Sequence, residues 1–416
     1  PSGPSGRGAS GVNGASGAGA GPARGSTGPT VAEAAPPVPT RRALPGDVLE
    51  LFVLALAGEP GEARGTDAAQ VLATFRSARV VAPFPRRGGE AGARWQRIIR
   101  AHERTLAVLE GRARGRELPS GKELRDLGRD LFETLLPGDV RRLYDTARGL
   151  QKGRPLDVVF TSMLDWVADK PWELAFDPAR REFLATASVN LMRNAFTAVP
   201  AEAPARGRGR LRILVVVARP LGAAPLDSAT ETRDLREAFS SLAKAGRAEV
   251  EVLDRATPPR LQRRLSAGGV DVLHFVGHGA FDEAEREGSL LLEDERGRER
   301  SLGAEALRQL LCGRGLRLVF LNACETGRGG RVDWNRGVAP ALVAAGLPAV
   351  VANQYAVLDD AATAFARELY AQLAAGRSLG DAAREARVAV ARDLGPSRLD
   401  WAVPVVFARD PREPLR

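Results

Sequence analysis

The sequence predicts an α/β fold whose central sheet is mostly parallel and covered by helices on both faces. Beyond residue 210, apolar runs of strand length alternate with segments of helical spacing. The strand-like runs are almost continuously apolar, as expected for strands that are buried on both sides. Short connections between the two kinds of segment favour a sheet in which helices return the chain to the next parallel strand.

The regular part of this pattern covers residues 211–409. The predicted strands are 211–218, 248–253, 271–276, 316–322, 348–353 and 401–408, and the predicted helices are 229–245, 258–268, 303–312, 336–345 and two within 359–392. The run "SLLLEDERGRERSL" (289–302) predicts a hairpin between the third and fourth strands. The last strand is expected at an edge of the sheet, because Pro404 has no N–H to donate to a neighbour.

Residues 45–200 have a less regular pattern. Strands are predicted at "DVLELFVLAL" (47–56) and "LDVVFTS" (156–162), and helices at 67–78, at 92–115 and, after a capping serine, at 120–137. His102 lies among charged residues of the second helix and is expected to be a surface or capping side chain. In "DKPWELAFD", Trp172 is expected in the core.

Composition divides the chain into three parts. The first 44 residues are mostly Gly, Ser, Pro and Ala and cannot bury enough apolar surface to offset the entropy lost on ordering, so a disordered tail or linker is expected. The spacer "VPAEAPARGRGR" (199–210) indicates a boundary. The expected parts are therefore 1–44, 45–200 and 211–409.

The charge of the chain does not by itself indicate nucleic-acid binding. The formal net charge is +9, yet only 4 of the 60 basic residues are lysines, which is typical of a codon bias toward Arg. No nucleic-acid-binding motif is present, so nucleic acid is not expected as the main ligand. No apolar run reaches the ~18 residues of a membrane span, and two cysteines favour the cytoplasm over an oxidising compartment.

Two short runs carry the chemically distinctive residues. "DVLHFVGHGAFD" (271–282) contains His274 and His278, and "LVFLNACETG" (318–327) contains Cys324. The His-x-x-x-His spacing lacks a third ligand and a helical pattern, so no metal is expected. His274 lies inside a predicted strand and is expected to be a core histidine hydrogen-bonded to the backbone.

His278 and Cys324 are both expected just past strand ends, where the carboxyl ends of parallel strands meet. Gly277 and Gly279 would let the backbone turn tightly beneath His278. A thiolate beside an imidazole is an activated nucleophile, and the N–H groups of Gly279 and Cys324 are suited to an oxyanion hole. The residues alone leave open that the two are unrelated. Cys312, late in a helix, is expected to be a small buried hydrophobe.

The two runs resemble the paired His and Cys motifs of the CHAT family, caspase-like cysteine peptidases of the clan that includes separase and gingipain. Further similar blocks follow in family order: "LRDLGRDLFETLLP", "DKPWELAFD", "ARPLGAAPLDSATET" and "AVVANQYAVLDDAATAFARELYAQLAAGRSLGDAAREA". The resemblance covers roughly residues 110 to 409. One departure is Tyr355, where the family usually has Trp.

The resemblance implies a caspase-like α/β/α sandwich at 211–409, preceded by a degenerate pseudo-caspase or regulatory half at 45–200. It implies a cysteine endopeptidase that cleaves protein substrates without a cofactor, in a bacterial regulatory or defence system, with His278 as general base and Cys324 as nucleophile. An activating partner or a missing sensor domain is expected. The alternative is a CHAT-type interaction module that has lost its activity.

The substrate pocket is expected to form from "ARPLGAAPLD" (218–227) and from the segment after "AVVAN". Asp359 or Asp227 at its floor would favour Arg or Lys before the scissile bond. Asp359 followed by Asp360 also fits the acidic start of a helix, and a pocket lined by Tyr355 and its apolar neighbours would prefer Leu. A basic residue is the favoured expectation, and aspartate is not expected.

Overall fold

A mixed sheet of 13 strands runs through the described part of the chain. The computed structural model describes residues 47–55, 69–84, 89–109, 113, 117–196, 209–223, 233, 237, 239–240, 242–282, 287–324, 337–355 and 359–412. The strands are β1 Val48–Ala55, β2 Ala69–Phe75, β3 Ala78–Pro83, β4 Leu156–Ser162, β5 Phe176–Asp177, β6 Glu182–Phe183, β7 Val189–Asn194, β8 Leu211–Val217, β9 Ala248–Leu253, β10 Val272–Asp282, β11 Glu287–Glu293, β12 Glu299–Gly303, β13 Leu318–Cys324, β14 Ala349–Asn353 and β15 Pro404–Ala408. Strands β5 and β6 form a separate small hairpin.

Helices connect most of these strands. They are α1 Gly89–Leu109, α2 Gly121–Leu135, α3 Asp139–Leu150, α4 Asp165–Ala168, α5 Pro258–Ser266, α6 Ala304–Leu311, α7 Val338–Ala344, α8 Asp359–Ala374 and α9 Leu379–Leu394. The described residues between 233 and 244 are also helical. Helix α2 begins as its sequence predicts: the Ser120 side chain accepts from the Glu123 N–H, and the Glu123 carboxylate accepts from the Ser120 N–H.

Both halves of the chain contribute to the same sheet. Its strand order is β12-β11-β10-β13-β14-β15-β7-β4-β1-β2-β3, with β8 and β9 attached beside β10. Pairs β8–β10, β10–β13 and β13–β14 are parallel, as are β1–β4 and β4–β7. Strand β15 joins the halves, because it pairs antiparallel with β14 and parallel with β7. The division at the 199–210 spacer stays a prediction.

Two apolar clusters cover opposite faces of the C-terminal part of the sheet. Alternate residues of β8, β10 and β13 pack on one face against Phe365 and Leu369 of α8 and against α9. The intervening residues belong to the cluster on the other face, which also contains the apolar side chains of α5, α6 and α7, among them Leu342. The predicted α/β fold with a mostly parallel sheet between helices is therefore confirmed.

The predicted helix at 67–78 is wrong. Residues 69–78 form β2, a turn and the first residue of β3. The burial of β2 alternates strictly, with Ala69, Val71, Ala73 and Phe75 inside. A short apolar run fits the helical period and the strand period about equally well. Pairing with β1 on one side and β3 on the other decides between them.

The predicted edge position of β15 is also wrong, since the strand lies between β14 and β7. Pro404 is its first residue, opposite Asn353. A proline is compatible with an interior strand at its first position, where fewer ladder bonds are needed. Trp172 is confirmed as core: it is fully buried, and its indole N–H donates to the Val167 carbonyl over 2.8 Å.

Candidate active site

His278 and Cys324 lie directly opposite each other in neighbouring parallel strands. The register of β10 and β13 pairs Val272 with Leu318 at one end and His278 with Cys324 at the other. Neighbouring strands are ~4.8 Å apart. The backbones of the two residues are therefore one strand spacing apart, although the residues are 46 positions apart in the sequence.

His278 lies within a strand and not beyond its end, which corrects the expectation from the sequence. Strand β10 continues to Asp282, and His278 also pairs with Leu291 of β11 on its other side. The residue is only 4% exposed. Strand β8 pairs with one edge of β10 up to Val276, and β11 pairs with the same edge from His278 onward. The hairpin of β11 and β12 therefore extends β10 past its predicted end.

The glycine before His278 has a packing role and does not form a turn. A Cβ on Gly277 would lie 2.7 Å from Cζ of Phe275 and 3.3 Å from the Ala218 carbonyl oxygen. Gly277 therefore admits the Phe275 ring on the face of β10 opposite His278. Gly279 is buried and pairs with Leu290, and Cys324 is the last residue of β13. The oxyanion role of their N–H groups stays a prediction.

Two buried asparagines lie two register positions before this pair, and the sequence reasoning missed them. Asn322 and Asn353 are 7% and 1% exposed, and the Asn353 Nδ2 donates to the Asn322 Oδ1 over 3.0 Å. Asn322 precedes Cys324 by two residues in β13. The available signal was one polar residue at the end of each apolar run, in "LVFLN" and "AVVAN".

The residue after Asn353 connects the site to the N-terminal half. The Gln354 Nε2 donates to Glu173 over 3.1 Å and to the Ala402 carbonyl over 2.7 Å, while its Oε1 accepts from Arg193 over 3.2 Å. Arg193 forms a buried ion pair with Glu173. The end of β14 is thereby fixed to the N-terminal half by charged and amide groups.

Tyr355 continues this connection, and its partner corrects the expectation for His102. The Tyr355 hydroxyl and the His102 Nδ1 are 3.0 Å apart and hydrogen-bonded, and both residues are buried. The charged neighbours of His102 in the sequence lie on other faces of α1. Because a helix places successive residues 100° apart, these neighbours do not predict its exposure.

The other predicted pocket residues are only partly described. Asp227 lies outside the described residues. Asp359 is the first residue of α8, and Asp360 after it is exposed. Tyr355 packs among the core side chains of α8 and the sheet. A role of these three residues in substrate binding stays a prediction.

His274 is a core residue, as expected, but its hydrogen-bond partner is not the backbone. Its Nδ1 is 2.8 Å from the Tyr370 hydroxyl, and its ring stacks on Phe320 with centroids 4.6 Å apart. No hydrogen-bond partner of Nε2 is present among the described residues. Complete burial lowers the pKa of His274 to about 3, so the ring is neutral in the folded protein at neutral pH.

We expect His274 to make the protein less stable in acid. The unfolded chain binds a proton at this residue below a pKa of ~6.5, while the folded protein does not until about pH 3. Its contribution is therefore complete above pH ~6.5 and is lost at about 1.4 kcal/mol per pH unit as the pH falls toward 3. Urea unfolding of wild type and His274→Leu at pH 8, 6, 5 and 4 measures it; parallel pH dependences would contradict the expectation.

Two further features are the possible metal ligands and the second cysteine. Within the described ranges, no group of three His, Cys, Asp or Glu side chains could hold a metal ion. Cys312 follows the last residue of α6 and is half-buried against the apolar cluster of that face. It is therefore less buried than expected.

None of the described helices has both the length and the apolar composition needed to cross a membrane.

Comparison with known proteins identifies the family. A family model of the CHAT domain matches residues 125–409, which include both strands of the His278–Cys324 pair. The chain belongs to the CHAT domain family. The resemblance of the two motifs is thus confirmed over most of the expected range. No curated protein matches the chain.

Several solved structures are similar to the CHAT chain at low sequence identity. The Arg-specific cysteine proteinase gingipain R is 12% identical, with a TM-score of 0.43 and coverage of 66% of this chain and 68% of its own. The complex of pro- and mature domains of RgpB from Porphyromonas gingivalis is also 12% identical, with a TM-score of 0.44 and coverage of 76% of this chain and 78% of its own. The Saccharomyces cerevisiae separase–securin complex is 12% identical with a TM-score of 0.40. The match covers 87% of this chain but only 30% of the chain in that structure.

Proposed function

We propose that this CHAT protein is a cysteine endopeptidase that cleaves protein substrates, with Cys324 as nucleophile and His278 as general base. The observation that carries the proposal is the register of β10 and β13, which pairs these two residues at one strand spacing. Nucleophilic catalysis by a thiol requires a base within reach of the sulfur. The chain has only three histidines and two cysteines in 416 residues. A chance pairing of one of each in register is therefore a weak alternative explanation.

The proposed reaction follows from the properties of the two groups. The imidazole of His278 takes the thiol proton, and the Cys324 thiolate attacks the carbonyl carbon of the scissile peptide bond. The Gly279 and Cys324 N–H groups donate to the oxyanion, which removes ~3 kcal/mol from the barrier per donor. His278 then protonates the leaving amine, and water hydrolyses the acyl-enzyme by the same proton transfers in reverse.

The alternative is an inactive CHAT module that binds other proteins. An intact His–Cys pair in register favours the peptidase, because an interaction module has no need of either side chain. As in the family, we place the peptidase in a bacterial regulatory or defence system and expect a protein partner to activate it. A cytoplasmic location belongs to the same proposal.

A peptide panel tests the proposal directly. Fluorogenic peptides with Arg, Leu or Asp before the scissile bond are incubated with the purified protein, alone and with the proteins encoded beside it. We expect hydrolysis after Arg, weaker hydrolysis after Leu and none after Asp. Hydrolysis that iodoacetamide does not inhibit would reject a thiol nucleophile, and binding of a neighbouring protein without hydrolysis of any peptide would favour the interaction module.

Specificity is predicted to depend on Asp359. If its carboxylate lies at the pocket floor, Asp359→Ala removes a charge-assisted contact of ~1.5–3 kcal/mol and lowers kcat/KM on the Arg peptide by ~10- to 100-fold. Cleavage after Leu should stay unchanged. Asp360→Ala, at the exposed neighbouring residue, is the matched control. An equal loss on both peptides would instead assign Asp359 a structural role at the start of α8.

A further inference from the structure

We infer that Asn322 and Asn353 are positioning residues of the active site, which hold the end of β13 so that Cys324 stays in register with His278. The inference rests on the proposed function of that pair. Neither asparagine is a catalytic residue in this assignment. They act through the backbone that carries the nucleophile.

The strand pairing shows why the end of β13 needs support. Between β13 and β14 the paired residues are Val319–Val350, Phe320–Val351 and Leu321–Ala352, and the pairing ends there. The next residues in register are Asn322 and Asn353. On the other side of β13, pairing with β10 continues to Cys324. Cys324 is therefore three residues beyond Leu321, the last residue of β13 that pairs with β14.

The amide pair continues the link between the two strands where the backbone pairing stops. The Asn353 Nδ2 in β14 donates to the Asn322 Oδ1 in β13 over 3.0 Å. Burying two amides in an apolar sheet costs free energy that apolar side chains of the same shape would not cost. A polar link at this position is thus poorly explained by stability and well explained by a need for fixed geometry.

Asn353 is itself held by the residues that follow it. The Gln354 N–H donates to the Val403 carbonyl over 3.0 Å, and its side chain joins the buried Glu173–Arg193 ion pair. Tyr355 is hydrogen-bonded to His102. The amide pair therefore connects the strand of the nucleophile to a part of the molecule that is fixed from several sides.

The experiment uses the thiol of Cys324 as its own reporter. Cys312→Ser leaves Cys324 as the single cysteine of the chain, and the rate of its alkylation by iodoacetamide between pH 5 and 9 reports its pKa. An imidazole held beside the sulfur lowers that pKa below its ordinary ~8.5. We compare four proteins in this background: the parent, His278→Asn, Asn322→Leu/Asn353→Leu, and Asn194→Leu, a matched change at a buried asparagine of β7.

Positioning predicts that the double leucine variant moves the alkylation profile toward pH 8.5, with an alkylation rate at pH 6.5 at least about tenfold below the parent. Its melting temperature should stay near that of the parent, because both partners of the hydrogen bond are replaced together. Asn194→Leu should keep the parent profile. In peptide assays the double variant should lower kcat by ~10²-fold with little change in KM, as expected for a misplacement of about 1 Å.

Each other outcome is decisive. A double variant that is folded and keeps the parent profile overturns the inference and leaves the proposed function intact. A parent profile that is already ordinary and unchanged by His278→Asn overturns the proposed function, and the inference with it. If the double variant does not fold, Asn353→Ser, which is smaller and too short to reach Asn322, is measured in its place with the same two readings.

Discussion

Cys324→Ala is expected to abolish peptide hydrolysis, with a loss of about 10⁴-fold or more in kcat. Removing the nucleophile of a catalytic pair leaves only substrate binding and oxyanion stabilisation. The change deletes one sulfur atom, so the free energy of unfolding should change by only about 1 kcal/mol. Kinetics on the best peptide of the Arg, Leu and Asp panel, with melting temperatures measured in parallel, check both expectations.

His278→Asn should cause a loss of the same order, and the two changes together should cost no more than either alone, because the residues act as one unit. Asn is chosen since His278 is only 4% exposed, and truncation to Ala would leave a cavity. Cys312→Ser is the matched control at the other cysteine, which lies after α6, and it should retain activity. Loss of activity in Cys312→Ser with retention in Cys324→Ala would reject the assignment.

Arg193→Met is expected to destabilise the fold by about 3–5 kcal/mol. Arg193 and Glu173 are 6% and 1% exposed and form an ion pair, and Arg193 also donates to the Ala168 carbonyl over 2.7 Å and to the Lys170 carbonyl over 3.0 Å. Removing one partner leaves a buried carboxylate without its counter-charge. Urea unfolding at pH 7.5 measures the loss.

Two further variants separate the charge from the loss of packing. Arg193→Met combined with Glu173→Met should recover part of the stability, since no unpaired charge remains, although two carbonyls still lack their donor. Arg104→Met removes an exposed Arg–Glu contact to Glu123 and should leave the unfolding midpoint unchanged. A loss below about 1 kcal/mol in Arg193→Met would contradict the structural role of the ion pair.

Much of the fold follows from the sequence because strand and helix periods differ. The strands of residues 211–409 and the helices between them were predicted, and so was the hairpin that forms β11 and β12. The two wrong predictions for the sheet, a helix in place of β2 and an edge position for β15, have one cause. Both segments, Ala69–Phe75 and Pro404–Ala408, are short. The conformation of the first and the position of the second depend on which strands lie beside them, and a local sequence pattern does not contain that information.

The candidate site divides in the same way. The sequence by itself singled out His278 and Cys324, because each lies in a short run of unusual composition near a strand end, and only the resemblance of these runs to the paired CHAT motifs linked the two residues. Only the tertiary structure decided their register, the burial of His102 against Tyr355 and the pairing of Asn322 with Asn353. These are contacts between residues 31 to 253 positions apart, and they depend on how the sheet aligns separate strands, which periodicity and composition do not encode.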